Sequence, residues 1–181
     1  FFGVSNLHAL EEADTQVFDK GAKPIGDWGE IQAATYRIRS NMRDIFITGD
    51  VEGYAKRIAA RAEERTKAEA DFEKTLVSDE AKLLWKNYKE NQAKIGEANK
   101  KIRDLIAAGK KGEAQTLQYG ESEKLQQEQN KIYGDMTAAK IKFSRNLAEG
   151  NTKSADSASK AMYTLMSIGA LLAVGLGIII S

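Results

Sequence analysis

The sequence predicts an all-α protein, an antiparallel up-down four-helix bundle with a C-terminal transmembrane helix. A single proline in 181 residues, with abundant Ala, Glu, Lys, Gln and Leu, is the composition of long helices. Apolar residues recur every three or four positions along most of the chain, which is the period of an amphipathic helix. Residues 161–180 carry no charged side chain, and an apolar run of roughly 20 residues matches the thickness of a bilayer.

Both ends of the chain are apolar. Residues 1–4, Phe-Phe-Gly-Val, are expected to be the end of a first transmembrane helix, and a disordered end is the alternative. The chain also stops beside an apolar run, at Ser181. We therefore expect a fragment truncated at both ends, in which residues 5–158 form a soluble domain between two membrane helices.

The first helix is predicted over residues 7–47, where the apolar residues draw one stripe. Pro24 removes a backbone donor and clashes with the preceding turn, so a bend is expected near residues 20–24. The stripe keeps its phase across the proline, which favours a bent helix over two separate helices. The stripe consists of Leu7, Leu10, Val17, Phe18, Ile25, Trp28, Ile31, Ile38, Met42, Ile45 and Phe46.

Turn and capping residues delimit the next two helices. Gly49 suits the left-handed residue that closes a helix, and Asp50 can cap the second helix, predicted over residues 51–77. Ser78 can cap the third helix, predicted over residues 79–108, whose first turn carries two acidic residues that favour the helix dipole.

The fourth helix is predicted from Glu113, after a tight reversal at residues 109–112. No helix breaker follows Gly150, so we expect this helix to continue into residues 161–180. Long helices joined by short connections pack as antiparallel neighbours. Both ends of the soluble domain are therefore expected at the membrane, and the turns at Gly49 and at 109–112 at the far end.

The composition excludes several classes of function. The 27 Lys and Arg residues nearly balance the 26 Asp and Glu residues, whereas a nucleic-acid binder shows a basic excess. The chain has no cysteine, and His8 is its only histidine, so thiolate chemistry, a Ser/His/Asp triad and a histidine metal cluster cannot be built. We expect no catalytic residue, no metal, no cofactor, no enzymatic activity and no nucleic-acid partner.

One polar cluster on the first helix suits a ligand. Arg39 and Arg43 are four residues apart and therefore lie on one face with Tyr36, beside the apolar stripe. Two guanidinium groups in one partly desolvated place suit a carboxylate, because each can donate to two oxygens. Arg37 belongs to the same run. The alternative is a solvated face whose arginines pair with Asp44 or with a neighbouring helix.

With these features, the chain resembles the periplasmic four-helix-bundle sensor domain of bacterial methyl-accepting chemotaxis proteins. The likeness covers residues 1–181. Four features carry the resemblance: the end of a first span, an arginine-bearing first helix that ends at Gly49, the sequence of the turn at residues 105–114, and a second span. The resemblance implies a receptor in the bacterial inner membrane with residues 5–158 in the periplasm.

The resemblance also implies a site. In the aspartate and serine receptors of this family, arginines four apart on the first helix hold the ligand's carboxylates at a dimer interface, and the start of the fourth helix holds its amino group. Arg39 and Arg43 match that spacing, and the fourth-helix positions fall at Thr116 and Tyr119. The amino-group-holding sequence is not reproduced at residues 114–119. The implied ligand is therefore a small carboxylate, either an amino acid or a di- or tricarboxylate, and the implied partner is a second copy bound through the first helix.

The expected function is thus ligand sensing by a transmembrane chemoreceptor, with a helix displacement carried across the membrane. One alternative is the sensor domain of a histidine kinase or of a cyclic-dinucleotide enzyme. The other is a structural, membrane-anchored helical bundle that binds protein partners.

Overall fold

The structure, a computed structural model, describes residues 11–12 and 15–180, with the backbone alone at 173–177, 179 and 180. Within those residues it is helical apart from short turns and has no strand, which confirms the all-α prediction. The predicted end of a first membrane helix at residues 1–4, the start of the first helix at Leu7, and His8 lie outside the described residues. The elements are a π-helical turn at Phe18–Ala22, α1 (Lys23–Thr48), α2 (Val51–Glu73), α3 (Asp79–Ala107), α4 (Lys111–Leu117), a second π-helical turn at Gln118–Ser122, and α5 (Glu123–Ile180).

The chain divides into two compact units. Residues 23–142 form the larger unit. Residues 1–22 and 143–181 form the smaller one. Within the smaller unit, Gly21 packs so closely against the Ser144 side chain that a Cβ at this position would collide with the hydroxyl. An alanine at this position would require the Ser144 hydroxyl to rotate away.

The predicted turns and caps are confirmed. Gly49 and Gly109 have φ angles of 75° and 76°, the left-handed conformation that ends a helix. The Asp50 carboxylate accepts a hydrogen bond of 2.8 Å from the Gly53 amide at the start of α2. The Ser78 hydroxyl accepts one of 3.2 Å from the Ala81 amide at the start of α3. Each cap satisfies an amide that has no partner within its own helix.

The second helix ends earlier than predicted, at Glu73 instead of residue 77. The Thr75 hydroxyl donates to the Phe72 carbonyl at 2.7 Å, and the Thr75 amide donates to the same oxygen at 2.9 Å. A short polar side chain that bonds the nearby backbone competes with the helical pattern. The apolar Leu76 packs against the core after the helix has ended.

The distortion expected near residues 20–24 is a π-helical turn. It occupies Phe18–Ala22, directly before Pro24, and helical residues continue on both sides of it. This confirms a continuous first helix over a break into two, because a wide turn accommodates the proline without ending the helix. The second π-helical turn, at Gln118–Ser122, was not predicted.

The helices of the larger unit form the predicted up-down bundle, with α4, the second π turn and the start of α5 acting as its fourth helix. Early residues of α1 meet late residues of α2, as in the stacked rings of Trp28 and Phe72, whose centroids are 4.8 Å apart. Trp28 also meets Tyr133 of α5 at 5.3 Å. Farther along α1, Arg39 meets Gln126, which lies earlier in α5. α1 is therefore antiparallel to both α2 and α5.

The core of this unit contains two apolar clusters. The first surrounds Trp28, Phe72, Trp85 and Tyr88, and the second lies near the α1–α2 turn around Met42, Ile45, Ile102 and Ala114. A polar layer lies between them. It is defined by the buried side chains of Thr35, Asn91, Gln129 and Tyr133, and it interrupts the apolar packing in the middle of the bundle.

The predicted continuation of the fourth helix past Gly150 is confirmed, since α5 runs without interruption to Ile180. Among the residues that the structure describes, no helix combines the length and the hydropathy needed to cross a membrane. The transmembrane character of residues 161–180 stays a prediction.

Candidate functional site

A groove of about 660 Å³ opens on the larger unit between the second half of α1 and the start of the fourth helix. Its walls come from α1, α3, α4, the second π turn and the first residues of α5. It is lined by Tyr36, Arg39, Ser40, Met42, Arg43, Phe46, Ile47, Asn99, Lys111, Gln115, Gln118, Tyr119 and Gln126.

Arg39 is the half-buried cation of the groove. Its guanidinium donates to the Asn130 side-chain oxygen at 2.8 Å and to the Gln126 carbonyl at 3.3 Å, both on α5. The same group lies 5.2 Å from the centre of the Tyr36 ring, within the range of a cation–π contact. Its Nε is buried without a hydrogen-bond partner in the described part of the chain. Arg39 therefore has a free donor beside a partly desolvated cavity.

Arg43 and Lys111 complete the positive charge of the groove. Arg43 follows Arg39 by one helical turn and is mostly exposed, with a weak contact of 3.4 Å to the Ser40 hydroxyl and 3.8 Å to Asp44. Lys111 is exposed at the first residue of α4. Among the described residues that line the groove, none is acidic. Three cations without a lining carboxylate favour an anionic ligand.

The remaining lining side chains are amides and aromatic or aliphatic groups. Gln118 places its side-chain oxygen in a buried position without a partner in the described structure. An unpaired buried oxygen is costly, so turning the Gln118 side chain into the groove to accept from a ligand hydroxyl or N–H group would be favourable. Tyr36, Phe46 and Tyr119 supply apolar surface around the cations. The groove can therefore hold an anion with a small organic body.

The second π turn shapes one wall of the groove. Gln118 and Tyr119, its first two residues, both line the cavity. A π turn inserts one residue into a helical turn, which rotates the side chains that follow and leaves them pointing where a regular α-helix would not place them. Such turns occur frequently at functional sites.

The structure brings four of the six predicted site residues together, namely Tyr36, Arg39, Arg43 and Tyr119. Arg37 lies two residues from Arg39, roughly 200° around the helix, and faces α2.

Arg37 contacts Glu64 at 3.8 Å on the wall of a separate groove between α1 and α2. Thr116 lines another depression beside Leu105 and Glu113, and its hydroxyl donates to the Gly112 carbonyl at 3.1 Å. Arg37 and Thr116 thus lie apart from the main groove, and their predicted ligand contacts stay predictions.

Sequence reasoning missed the fourth-helix contribution. The sequence placed Lys111 in the turn, because Gly112 is typical of a chain reversal. In the structure, α4 already begins at Lys111. Gln115 and Gln118 were missed because a glutamine in a helix rich in charged residues is expected to be a solvent-exposed surface residue. The signal available for Lys111 was its distance of one turn from Gln115, which puts both on one helical face.

The described residues contain no group of three or more His, Cys, Asp or Glu side chains arranged to hold a metal ion. The clearest pKa shifts lie away from the groove. Burial raises the pKa of Tyr133 in the polar layer and lowers the pKa of Lys140 to about 8.

The up-down topology defines a four-helix bundle, and the groove beside its first and fourth helices is lined by three cations. The chain belongs to the family of four-helix-bundle sensory modules for signal transduction, whose family model matches residues 1–163. This confirms the resemblance to chemoreceptor sensor domains that the sequence suggested. Searches of curated proteins and of solved structures found no match to this chain.

Proposed function

We propose that this sensory module belongs to a transmembrane chemoreceptor and binds a small carboxylate in the groove. The observation that carries the proposal is the charge of the lining. Arg39, Arg43 and Lys111 face a cavity of about 660 Å³ whose described lining contains no acidic side chain. Guanidinium groups bind carboxylates through paired, charge-assisted hydrogen bonds, and a half-buried site strengthens them.

The same lining favours one class of carboxylate. An amino acid brings an ammonium group, which sites usually hold with a carboxylate or several oxygens, and it adds a fourth positive charge to the groove. A dicarboxylate instead meets the cations with two negative charges. The unpaired Gln118 oxygen adds an acceptor for a ligand hydroxyl. We therefore place di- and tricarboxylates, including hydroxy acids, ahead of amino acids.

The route of the signal follows from the helix that forms one wall of the site. Gln126 lines the groove and belongs to α5, which runs from Glu123 to Ile180. A displacement of α5 at the groove is carried along a continuous helix. We place residues 161–180 in the inner membrane of a bacterium and residues 5–158 in the periplasm. The apolar side chains from Met162 to Leu172 support this, because they are exposed in the chain by itself.

We further propose that the receptor is a homodimer joined through its first helix. Tyr36 and Ile47 are exposed large side chains on α1, and Ile47 has 73% of its surface exposed. A second α1 would cover them and bring its own Arg43 toward the groove.

The proposed module is not an enzyme. Sensor domains of this kind can also precede a histidine kinase or a cyclic-dinucleotide enzyme, and the signalling half decides which output follows.

Thermal unfolding of the 181-residue chain in mild detergent tests the ligand. Trp28 and Trp85 are buried in the bundle and report its unfolding by fluorescence. The panel is succinate, malate, citrate, aspartate and serine at millimolar concentration. A ligand that binds only the folded chain stabilises it by about 2.7 kcal/mol at a hundredfold excess over its dissociation constant. We expect the largest rise in melting temperature with a di- or tricarboxylate.

Two variants locate the effect. Arg43→Ala should abolish the rise, whereas Arg37→Ala should retain it. The pair is matched, since both arginines lie on α1 and are exposed, with 72% and 59% of their side-chain surface accessible, but only Arg43 lines the groove. The absence of any rise with all five compounds, in a chain that unfolds cooperatively, would favour the structural bundle over the sensor.

A further inference from the structure

Arg39 has two roles in the structure. It lines the groove, and it ties α1 to α5 through its bonds to the Asn130 side chain and the Gln126 carbonyl, at 2.8 and 3.3 Å. Asn130 itself does not line the groove. The same guanidinium is thus shared between a candidate ligand site and the helix that leaves the bundle.

Both acceptors of Arg39 on α5 are neutral. Within the described residues, no carboxylate lies within 4 Å of the Arg39 guanidinium. A carboxylate ligand would offer two charged oxygens, and hydrogen bonds between ions are roughly twice as strong as those to neutral acceptors. A carboxylate ligand in the groove therefore competes with Asn130 for Arg39. Because the site is partly buried, the hydrogen bonds from Arg39 to the ligand are stronger than its bond to the Asn130 side chain.

Apolar packing of Tyr133 and its neighbours fixes α5 in the core, but several buried polar groups near Asn130 have no hydrogen-bond partner in the described structure. Gln129, the neighbouring residue, is fully buried, and neither polar atom of its amide has a partner in the described structure. The same holds for both amide atoms of Asn91 on α3. Unpaired buried groups destabilise the arrangement that contains them. The Arg39 guanidinium provides two polar contacts between α1 and α5 at this level. One helical turn further along α5, the Trp28 indole donates to the Tyr133 carbonyl at 3.3 Å.

We propose that Asn130 is a positioning residue that sets the affinity of the groove by holding Arg39, and that ligand binding releases α5 by taking Arg39 away from it. The proposal rests on the proposed function, because it assumes an anion in the groove. Asn130 touches no ligand in this scheme and acts through Arg39. Release is a shift between two arrangements, and the ligand favours the one in which Arg39 faces the groove.

Two substitutions at Asn130 should change ligand affinity in opposite directions. Asn130→Ala removes the competing acceptor, and Asn130→Asp replaces it with a charged one. From the strength of a single hydrogen bond to a charged group, we expect succinate to bind roughly threefold to tenfold more tightly to the first and more weakly to the second by a similar factor. Isothermal titration calorimetry of the 181-residue chain in detergent, with succinate and in parallel citrate, measures both.

The matched controls are Asn87→Ala and Asn87→Asp, which make the same changes at an exposed position on α3. They should leave both affinities unchanged. A rise in affinity for Asn130→Ala is the discriminating result, because local damage and altered charge do not raise affinity. Equal affinity of Asn130→Ala and the wild type, or a loss in both Asn130 variants, would overturn the positioning role and leave the proposed function intact.

A second measurement needs no ligand. Hydrogen–deuterium exchange of peptides covering residues 123–135 should be faster in Asn130→Ala than in the wild type and slower in Asn130→Asp. If the wild type binds neither acid while these exchange rates differ as expected, the tether stands and the proposed function fails, and with it the release step. Identical exchange in all three proteins would refute the tether itself.

Discussion

Glu69 is the buried charge on which the junction of α2 and α3 depends, and its replacement gives a sharp test of the fold. It is 5% exposed and accepts hydrogen bonds from the Tyr88 hydroxyl at 2.5 Å and the Lys89 ammonium at 2.8 Å. Arg65 lies 3.1 Å from the same carboxylate and is mostly buried. Three donors converge on a single acceptor group, so removing its charge affects all of them.

The expected loss of stability depends on whether each donor can find another partner. In Glu69→Gln, Lys89 can turn to solvent because half of its side chain is exposed. Arg65 and the buried Tyr88 hydroxyl cannot, and they face a neutral amide in place of a carboxylate. Breaking a buried ion pair costs about 3–5 kcal/mol, and we expect about 3 kcal/mol here because Lys89 escapes. For a unit of this size, that is a fall in melting temperature of roughly 10 °C.

Urea unfolding followed by tryptophan fluorescence measures the loss, since Trp85 stacks on Tyr88 at 5.0 Å. The control is Glu64→Gln on the same helix, whose carboxylate is half-exposed and pairs with Arg61 at 2.6 Å. An exposed pair contributes little to stability, so this variant should unfold like the wild type. If Glu69→Gln lost no more stability than Glu64→Gln, the buried network would not hold α2 to α3 as argued.

Two further predictions concern one lysine and one turn. Burial lowers the pKa of Lys140 to about 8, whereas the unfolded chain keeps that proton up to about 10.5, so the free energy of unfolding of the wild type should rise relative to Lys140→Met between those pH values. Urea unfolding at several pH values measures the slope, and parallel curves would contradict the assignment. Gly49→Ala should cost about 1 kcal/mol because of its φ of 75°. Gly112→Ala, in a helix with open space around it, should cost nothing in the same urea assay, and equal losses would rule out backbone strain.

The sequence was sufficient for the elements whose signals are local. The stripe of the first helix includes Trp28, Ile31, Ile38 and Ile45, all of which are buried. The turn at Gly49 and the caps depend on neighbours within three residues, and they too were predicted. The distortion before Pro24, a π-helical turn, was expected from the missing backbone donor and the clash of the proline ring.

The polar layer and the fourth-helix wall could not be predicted in the same way. Asn91 lies between Tyr88 and Ile95 in the helical period, so it appeared as a gap in the apolar stripe instead of as a buried residue. The π turn at Gln118–Ser122 contains no proline, so the sequence does not indicate it. The helical period places Arg37 and Arg39 on different faces, but that Arg37 meets Glu64 of α2 is decided by the packing of the helices.

The aromatic cluster around Trp28 has a practical consequence. Its ring centroid lies 4.8 Å from Phe72, 5.3 Å from Tyr88 and 5.3 Å from Tyr133, so one side chain of α1 contacts all three of the other helices of the bundle. Rings this close interact in ways that depend on their separation and tilt. A sliding of any helix changes the near-ultraviolet circular dichroism of this cluster. The aromatic cluster is therefore an intrinsic spectroscopic probe of helix movement, and no attached label is needed.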